Sequence, residues 1–189
     1  MILSDRDIRA ALQRLENPLI IDPGFDPQRL QPASLEMTLD NPVLRQGNGF
    51  RQVNAMGGGG WLIPQILWEE GTLDDRAFLG PGEFALATTV ETVKIPTDLV
   101  AQVNGKSSLA RQGLIVHTTA GFIDPGFRGQ ITLELKNVSN YPVPLWAGMP
   151  VCQLVFYQMT SPSERPYGSK GLGSHYQGQV GPTTAFNDR

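Results

Sequence analysis

The chain has 189 residues, a formal net charge of -3 and one cysteine. This length is sufficient to bury a core without disulfides or metal, and we expect residues 1–189 to form one domain. The negative charge argues against nucleic-acid binding, because contact with a phosphate backbone requires a broad cationic field. No stretch of roughly 20 apolar residues could cross a bilayer, and no basic segment with a following apolar run opens the sequence. We therefore expect a cytoplasmic protein with neither a membrane nor a nucleic-acid partner.

The first residues predict a short helix. Ser4 and Asp7 have the spacing of a capping pair, in which each side chain bonds the backbone of the other residue. The apolar residues that follow recur on one helical face as far as about residue 15, and they are Ile8, Leu12 and Leu15.

Most of the remaining chain favours short strands. Residues 33–39 alternate apolar and polar side chains and would place Ser34, Glu36 and Thr38 on one face. Further strand patterns occupy residues 84–89, 99–103, 129–135 and 151–156. Glycine and proline are spread between these segments rather than pooled in a linker, which predicts an antiparallel β-barrel or jelly-roll-like sandwich. Cys152 lies in an apolar strand and is predicted to belong to the core.

Two segments do not have a core pattern. Residues 45–61 are polar and glycine-rich, ending in Gly57-Gly58-Gly59-Gly60, and predict either a mobile loop or an inserted hairpin. Residues 160–189 are predicted to form a flexible tail that wraps a ligand or a neighbouring subunit.

The first chemical motif is the stretch GKSSLARQG at residues 105–113. Backbone N–H groups at such a turn, with Lys106 beside them, suit an anionic phosphate. The alternative is a surface helix capped by one of its serines, and the motif alone leaves both interpretations open.

Two carboxylates supply the other motifs. Residues 118–129 predict a hairpin in which Asp124 opens an Asp-Pro-Gly turn, either for chemistry or only to start the turn. Strand alternation at residues 131–136 places Glu134 opposite the apolar face, where it faces a site or is an exposed residue paired with Lys136.

These motifs together resemble the dCTP deaminase/dUTPase family in order and spacing. The resemblance rests on GKSSLAR at 105–111, AGFID at 120–124, TLEL at 132–135, Gly148-Met149 with Gln153-Leu154, and a tail from Tyr167 to Tyr176-Gln177-Gly178-Gln179. It also includes the opening residues 3–8, so it covers nearly the whole chain. Several ordered motifs are far more specific than any one of them.

The resemblance implies a role for each catalytic residue. Glu134 is the general base for the water that attacks the pyrimidine, and Ser107 and Arg111 stabilise this water and the tetrahedral centre. Asp124 orients a second water for attack on the α-phosphate.

The resemblance also implies the substrate-binding set. Backbone at Ala120 reads the pyrimidine edge, while Mg²⁺ is held through the triphosphate and water with no direct protein ligand. The implied substrate-binding residues are Lys106, Ser107, Ser108, Arg111, His117, Ala120, Gly121, Asp124, Gln153, Tyr167, His175 and Gln179. Zinc is not expected, because zinc deaminases need a His or Cys with a Pro-Cys-x-x-Cys pair and this chain has one cysteine.

The family fold implied is a distorted, dUTPase-like β-barrel assembled as a homotrimer, with sites between subunits and the tail closing over nucleotide. Two positions depart from the family pattern. His175 stands where a lysine is usual, which gives a weaker and pH-dependent cation. Glu36 stands where relatives more often have aspartate, which puts a role for that carboxylate near the metal in doubt.

The implied reaction is deamination of dCTP coupled to pyrophosphate release, giving dUMP, with dTTP as a feedback inhibitor. Small Gly121 with Phe122 resembles the dUTPase motif, whereas single-function deaminases tend to carry a bulkier His-Arg pair there. The alternatives are a deaminase that releases dUTP, a dUTPase that would not need Glu134, and a non-catalytic nucleotide-binding trimer.

Overall fold

A computed structural model describes residues 1–54 and 62–185, with backbone alone at 48–54 and 62–65. Its first element is helix α1, Asp5–Leu12, which begins at the N-cap Ser4. The Ser4 hydroxyl accepts from the Asp7 N–H and the Asp7 carboxylate accepts from the Ser4 backbone, so the predicted capping pair is confirmed. The predicted end at residue 15 is wrong: α1 stops at Leu12, and Leu15 is fully exposed at 100%.

The described chain is mainly β. Its strands are β1 Ile20–Asp22, β2 Leu30–Gln31, β3 Ser34–Asn54, β4 Leu62–Thr72, β5 Phe78–Leu79, β6 Phe84–Lys94, β7 Leu99–Gly105, β8 Leu114–Ile115, β9 Phe122–Ile123, β10 Arg128–Asn137, β11 Val143–Pro144 and β12 Pro150–Gln158. A 3₁₀ helix, Pro27–Arg29, precedes β2, and helix α2, Ser107–Ala110, follows β7. The four strand patterns after residue 80 are therefore confirmed as β6, β7, β10 and β12.

Ten strands form one antiparallel sheet whose main path is β8-β10-β6-β3-β12-β7-β9. Strand β3 joins the two halves, pairing with β6 on one side and with β12 on the other. The chain leaves β9 at one end of this path and enters β10 near the other end within a few residues, so the sheet curls into a partial barrel. The predicted β-barrel-like fold with a short N-terminal helix is confirmed.

The core fills the concave side of the curled sheet. Strands β7, β10 and β12 alternate buried and partly exposed residues, as half-buried strands do. The side chains with no exposure include Leu99, Leu133, Leu135, Leu154 and Phe156. Cys152 is buried among them, which confirms its predicted place in the core. Burial raises the pKa of the Cys152 thiol strongly, and the negative charge of Glu91 adds to this effect.

The inserted-hairpin interpretation of residues 45–61 is confirmed for the part that the structure describes. Strands β3 and β4 pair from Pro42 opposite Thr72 as far as Asn54 opposite Leu62. The four glycines at 57–60 lie outside the described residues. Because β6 pairs with β3 only up to Arg45, the far half of this hairpin extends beyond the sheet as an arm.

The predicted hairpin at residues 118–129 is wrong, because β9 and β10 do not pair with each other. Strand β9 lies on β7, with Ile123 opposite Ala101, whereas β10 lies on β6. The Asp-Pro-Gly turn does exist: the Phe127 N–H donates to the Asp124 carbonyl at 3.2 Å, and Gly126 has a φ of +88°. This turn carries the chain from one half of the sheet to the other. Alternation of side chains within one segment does not show which strands that segment pairs with.

After β12 the chain continues without helix or strand through residue 185. This tail returns to the start of β10, where the Gly178 N–H donates to the Arg128 carbonyl at 2.7 Å and the Gln130 N–H donates to the Gln179 carbonyl at 3.0 Å. The tail is thus irregular as far as residue 185 and lies against its own chain, and its predicted wrapping of a ligand or a neighbouring subunit stays a prediction. No helix in the described part of the chain is long and apolar enough to cross a membrane.

Candidate active site

Both predicted catalytic carboxylates border one cleft of about 610 Å³, which we call the carboxylate cleft. Its walls come from the outer faces of β6 and β10, the base of the β3–β4 arm, the segment around β9 and the tail. Five predicted site residues line it: Ala120, Asp124, Glu134, Tyr167 and Gln179. Most of the remaining lining is apolar, which lowers the local dielectric around the two carboxylates.

Glu134 reaches this cleft because β10 alternates. Leu133 and Leu135 point into the core, so Glu134 between them points outward, in register with Leu86 of β6. Its Oε2 accepts a hydrogen bond from the Thr118 N–H at 2.8 Å. Its other oxygen has no hydrogen-bond partner, and the carboxylate makes no ion pair, within the described residues. The alternative of a pair with Lys136 is wrong, since the Lys136 ammonium donates to the Gly82 carbonyl.

Asp124 follows β9 and is exposed at the rim of the cleft. Its backbone carbonyl belongs to the turn, but its carboxylate has no hydrogen bond or ion pair in the described structure. Aromatic residues flank it: Phe122 is 63% exposed, and the ring of Phe127 lies 5.8 Å from that of Tyr167. A free carboxylate beside aromatic faces suits a polar and partly apolar ligand such as a nucleoside.

The tail closes one side of the carboxylate cleft. Its backbone is held by the Tyr167 hydroxyl, which accepts from the Tyr176 N–H at 3.0 Å, and by the Gln179 amide, which donates to the Gln130 carbonyl at 2.7 Å. Tyr167 and Gln179 were predicted to bind substrate, and in this structure both hold the tail in place. His175 contacts the Tyr176 ring edge-on and does not line this cleft.

The phosphate-motif residues border a different cleft of about 370 Å³, which we call the polar cleft. It is lined by the predicted residues Lys106, Ser107, Ser108 and Gln153, together with Glu36 and the segment before β3. Lys106 is the N-cap of α2 and makes no side-chain cap, and no serine caps the helix. The alternative of a serine-capped surface helix is therefore wrong, and both serines are exposed.

Three side chains on one face of β3 and β12 organise the polar cleft. The Glu36 carboxylate forms an ion pair with the Lys106 ammonium. The Ser34 hydroxyl donates to the Gln153 side-chain oxygen at 2.7 Å, and the Gln153 amide donates to the Gly105 carbonyl at 3.1 Å. Both ends of the predicted substrate-binding residue Gln153 are thus bonded to the protein.

Three further predicted residues border neither cleft. Arg111 is exposed just after α2 and makes no ion pair in the part of the chain that the structure describes. His117 and Gly121 touch each other: a Cβ on Gly121 would lie 2.9 Å from the His117 ring. A larger residue at position 121 would therefore collide with His117. This is a steric reason for glycine there, in addition to the predicted need for space for the substrate. The His117 Nδ1 is buried without a hydrogen-bond partner.

The predicted site residues that line a cleft are therefore divided between two clefts that share no lining residue. The described lining of the carboxylate cleft has acids and no lysine or arginine, whereas the cation Arg111, just after α2, has no ion pair among the described residues. Sequence reasoning missed the apolar wall made by Ile66, Trp68, Phe84 and Leu86, with Trp68 and Phe84 rings 5.8 Å apart. That wall depends on the register of the β3–β4 arm, for which a single sequence contains no signal.

The curled antiparallel sheet and its outward-facing carboxylates define a protein with the fold of the β-sheet nucleotide deaminases. The crystal structure of 2'-deoxycytidine 5'-triphosphate deaminase from Agrobacterium tumefaciens matches with a TM-score of 0.61 and 25% identity, over 82% of this chain and 47% of that longer one. The family model described as dCTP deaminase-like matches residues 2–159. The chain belongs to this dCTP deaminase-like family.

Curated relatives match at about twice that identity. The protein of Bifidobacterium animalis subsp. lactis (strain AD011) is 52% identical over 97% of this chain and 92% of its own length. That of Dictyoglomus turgidum is 49% identical over 98% of this chain and 94% of its own. Both bear the name dCTP deaminase, dUMP-forming, as does a relative from Corynebacterium jeikeium that is 50% identical.

Proposed function

We propose that this protein hydrolyses dCTP twice, deaminating the base and releasing pyrophosphate, so that the product is dUMP. One structural observation carries the proposal: Glu134 stands in the carboxylate cleft with one oxygen fixed by a backbone N–H and the other free. Relatives at 49% and 52% identity over nearly the whole chain are named for this reaction, which supports the same chemistry here.

In the proposed deamination, Glu134 accepts a proton from water and passes it to the base. The carboxylate accepts a proton from water as the water oxygen bonds to C4 of the cytosine, giving a tetrahedral centre. Protons then pass to N3 and to the exocyclic amine, the C4–N4 bond breaks, and ammonia leaves with the carboxylate regenerated. The Thr118 hydrogen bond to Oε2 keeps the free oxygen directed at the water. The water is activated by a carboxylate, so the proposal includes no zinc.

The complete site is proposed to form between copies of the chain. Glu134 and Asp124 have no cation partner in the described structure, whereas Ser107 lines the polar cleft and Arg111 is exposed outside both clefts. Carboxylates on one copy and an arginine on another are complementary, and each would satisfy the other. A cyclic homotrimer allows every copy to give Ser107 and Arg111 to one neighbour and to receive them from the other.

The triphosphate is assigned to Lys106, Ser107 and Ser108, which offer an ammonium and two hydroxyls at the polar cleft. These groups bind phosphate oxygens, and Mg²⁺ held by the triphosphate and water neutralises further charge. The Glu36 carboxylate in this lining is already paired with Lys106, so the ion would be held by the triphosphate and water. Gln153 fixes the backbone next to Lys106 instead of contacting substrate. dTTP has the same triphosphate and a similar ring, so it is proposed to compete for the site, and a substrate pool of free nucleotides favours a cytoplasmic enzyme.

Product analysis with an isosteric variant tests the proposal. Incubated with dCTP and Mg²⁺, the wild-type protein is expected to give ammonia, pyrophosphate and dUMP in equal amounts by ion-exchange chromatography. Glu134→Gln keeps the size of the side chain but cannot accept the water proton, so deamination is expected to fall by about 10²–10⁴-fold while dCTP binding persists.

Glu16→Gln, an identical change at an exposed residue, is the matched control and should behave like the wild type. Near-normal turnover in Glu134→Gln would remove the general base from the proposal. Accumulation of dUTP without pyrophosphate would limit the wild-type enzyme to deamination.

A further inference from the structure

The ion pair between Glu36 and Lys106 joins two segments that are distant in sequence. Glu36 lies early in β3, and Lys106 lies between the end of β7 and α2. Both side chains are only 19% exposed, so water screens the pair less than it would screen a surface contact. Lys106 is the cation assigned to the triphosphate, and its ammonium is therefore already held before any ligand binds.

The strand register explains why Glu36 meets Lys106. Gln153 of β12 lies opposite both Glu36 of β3 and Asn104 of β7, so these side chains share one face of the sheet. The chain turns out of β7 directly after Gly105, which brings Lys106 back over that face. The Gln153 amide fixes the Gly105 carbonyl, and Ser34 fixes Gln153. Lys106 is thus restrained at its backbone and at its ammonium.

We infer that Glu36 is a positioning residue for phosphate binding, which directs the Lys106 ammonium at the triphosphate without touching the reacting base. The inference rests on the proposed function, in which Lys106 binds phosphate. A free lysine side chain loses rotamer entropy on binding, and the pair with Glu36 removes much of that loss in advance. An ammonium has three N–H donors, so one can bind Glu36 while the others face a phosphate oxygen.

This role limits what a change at Glu36 can affect. It should weaken ligands that have phosphate groups and leave a ligand without phosphate unaffected. It should also act only through Lys106, because without the ammonium the Glu36 carboxylate would merely repel a triphosphate. A carboxylate that only stabilised the fold would alter all ligands alike.

The test measures dissociation constants of dCTP with Mg²⁺ by calorimetry in the Glu134→Gln background, in which dCTP is expected to bind without turnover. Inhibition by unphosphorylated deoxycytidine and kcat are measured with Glu134 intact. Glu36→Gln is expected to weaken dCTP by about 5–20-fold, with deoxycytidine unchanged and kcat within about threefold, which is the pattern of a lost binding contact. Glu36→Asp, which keeps the charge on a stem one methylene shorter, should recover part of the loss. Glu16→Gln controls for the change in net charge, and thermal unfolding confirms that each variant is folded.

A double-mutant cycle with Lys106→Met provides the deciding comparison. In that background Glu36→Gln is expected to have no effect or to improve dCTP binding. The inference is overturned if the two losses add, if deoxycytidine weakens as much as dCTP, or if Glu36→Gln binds dCTP normally. Binding is measured separately from turnover. A protein that binds dCTP without deaminating it would refute the proposed function, but its dissociation constants would still show whether Glu36 positions Lys106.

Discussion

At the scale of single residues, acidic side chains that stabilise the fold can be distinguished from those available for chemistry. The former have a cationic partner and the latter do not. Glu91 is buried and is bonded by Arg29 and by the Thr38 backbone and hydroxyl. Glu134 and Asp124 have no such cation within the described residues, although they border a cleft with apolar walls. Alternation along β10 predicted the direction of Glu134. The ion pair of Glu91 with Arg29 was not predictable, because Arg29 lies in the 3₁₀ helix, far from Glu91 in sequence.

The proposed role of Asp124 can be distinguished from that of Glu134 by the product that an Asp124 variant forms. Asp124→Asn keeps the turn, whose hydrogen bond uses the backbone carbonyl, and removes only the carboxylate charge. If Asp124 orients the water that attacks the α-phosphate, pyrophosphate release should fall about 10²-fold more than deamination does. dUTP should then accumulate from dCTP, and the ratio of dUTP to dUMP in one chromatogram measures the effect. An unchanged ratio would assign the second hydrolysis to another residue.

At the scale of elements, patterns within one segment were predictable and pairings between segments were not. The alternation of β10, the strand pattern of β12 and the cap of α1 follow from neighbouring residues, and each prediction was confirmed. Leu15 fits the helical period but lies beyond Leu12, where the chain leaves the helix. Residues 118–129 contain two strand-like stretches and a turn, yet β9 and β10 belong to opposite ends of the sheet path.

The segment between β4 and β6 is held to β3 by a group of charges around Glu83. Arg45 of β3 binds the Glu83 carboxylate at 2.9 Å and the Arg76 and Phe78 carbonyls, and Arg76 also pairs with Glu83. Burial alone would raise the pKa of Glu83, but hydrogen bonds from the Gly80 N–H and Arg45 and the charges of both arginines outweigh it and lower the pKa. The ionised carboxylate therefore stabilises the folded state.

Replacing Glu83 should destabilise the protein in a pH-dependent way. Glu83→Gln leaves the largely buried Arg45 without its acid, and we expect the free energy of unfolding at pH 7 to fall by about 1–3 kcal/mol. Because the folded pKa is lowered, the contribution is present above the unfolded glutamate pKa of about 4.3 and is lost as pH falls through the folded pKa. Urea unfolding measures the free energy of unfolding of both proteins at pH 7 and in acid. The difference between Glu83→Gln and the wild type should be smaller in acid. A difference that is constant or grows in acid would contradict this linkage.

At the scale of the whole molecule, one copy of the chain presents two incomplete sites. The carboxylate cleft has the general base and the tail, and the polar cleft has the phosphate motif. The sequence resemblance predicted both sets of residues but not their separation, since the curl of the sheet determines which motifs meet. Glu134 is half-buried in a cleft with apolar walls and has no cation partner in the described chain, so a ligand or another copy that supplied a cation there would stabilise its charge.

Mixed assemblies test whether the two sites complete each other across copies. Glu134→Gln and Ser107→Ala are each expected to be inactive alone, the first for lack of the base and the second for lack of a hydroxyl at the water. When the two variants are coexpressed in equal amounts, about a quarter of the sites should combine an intact Glu134 from one copy with an intact Ser107 from its neighbour. Activity should return to that fraction of wild type, and light scattering should show a trimer. Separately purified variants mixed without subunit exchange are the control and should stay inactive. If each chain instead forms its own site, no coexpressed mixture regains activity, because every chain then lacks one of the two groups.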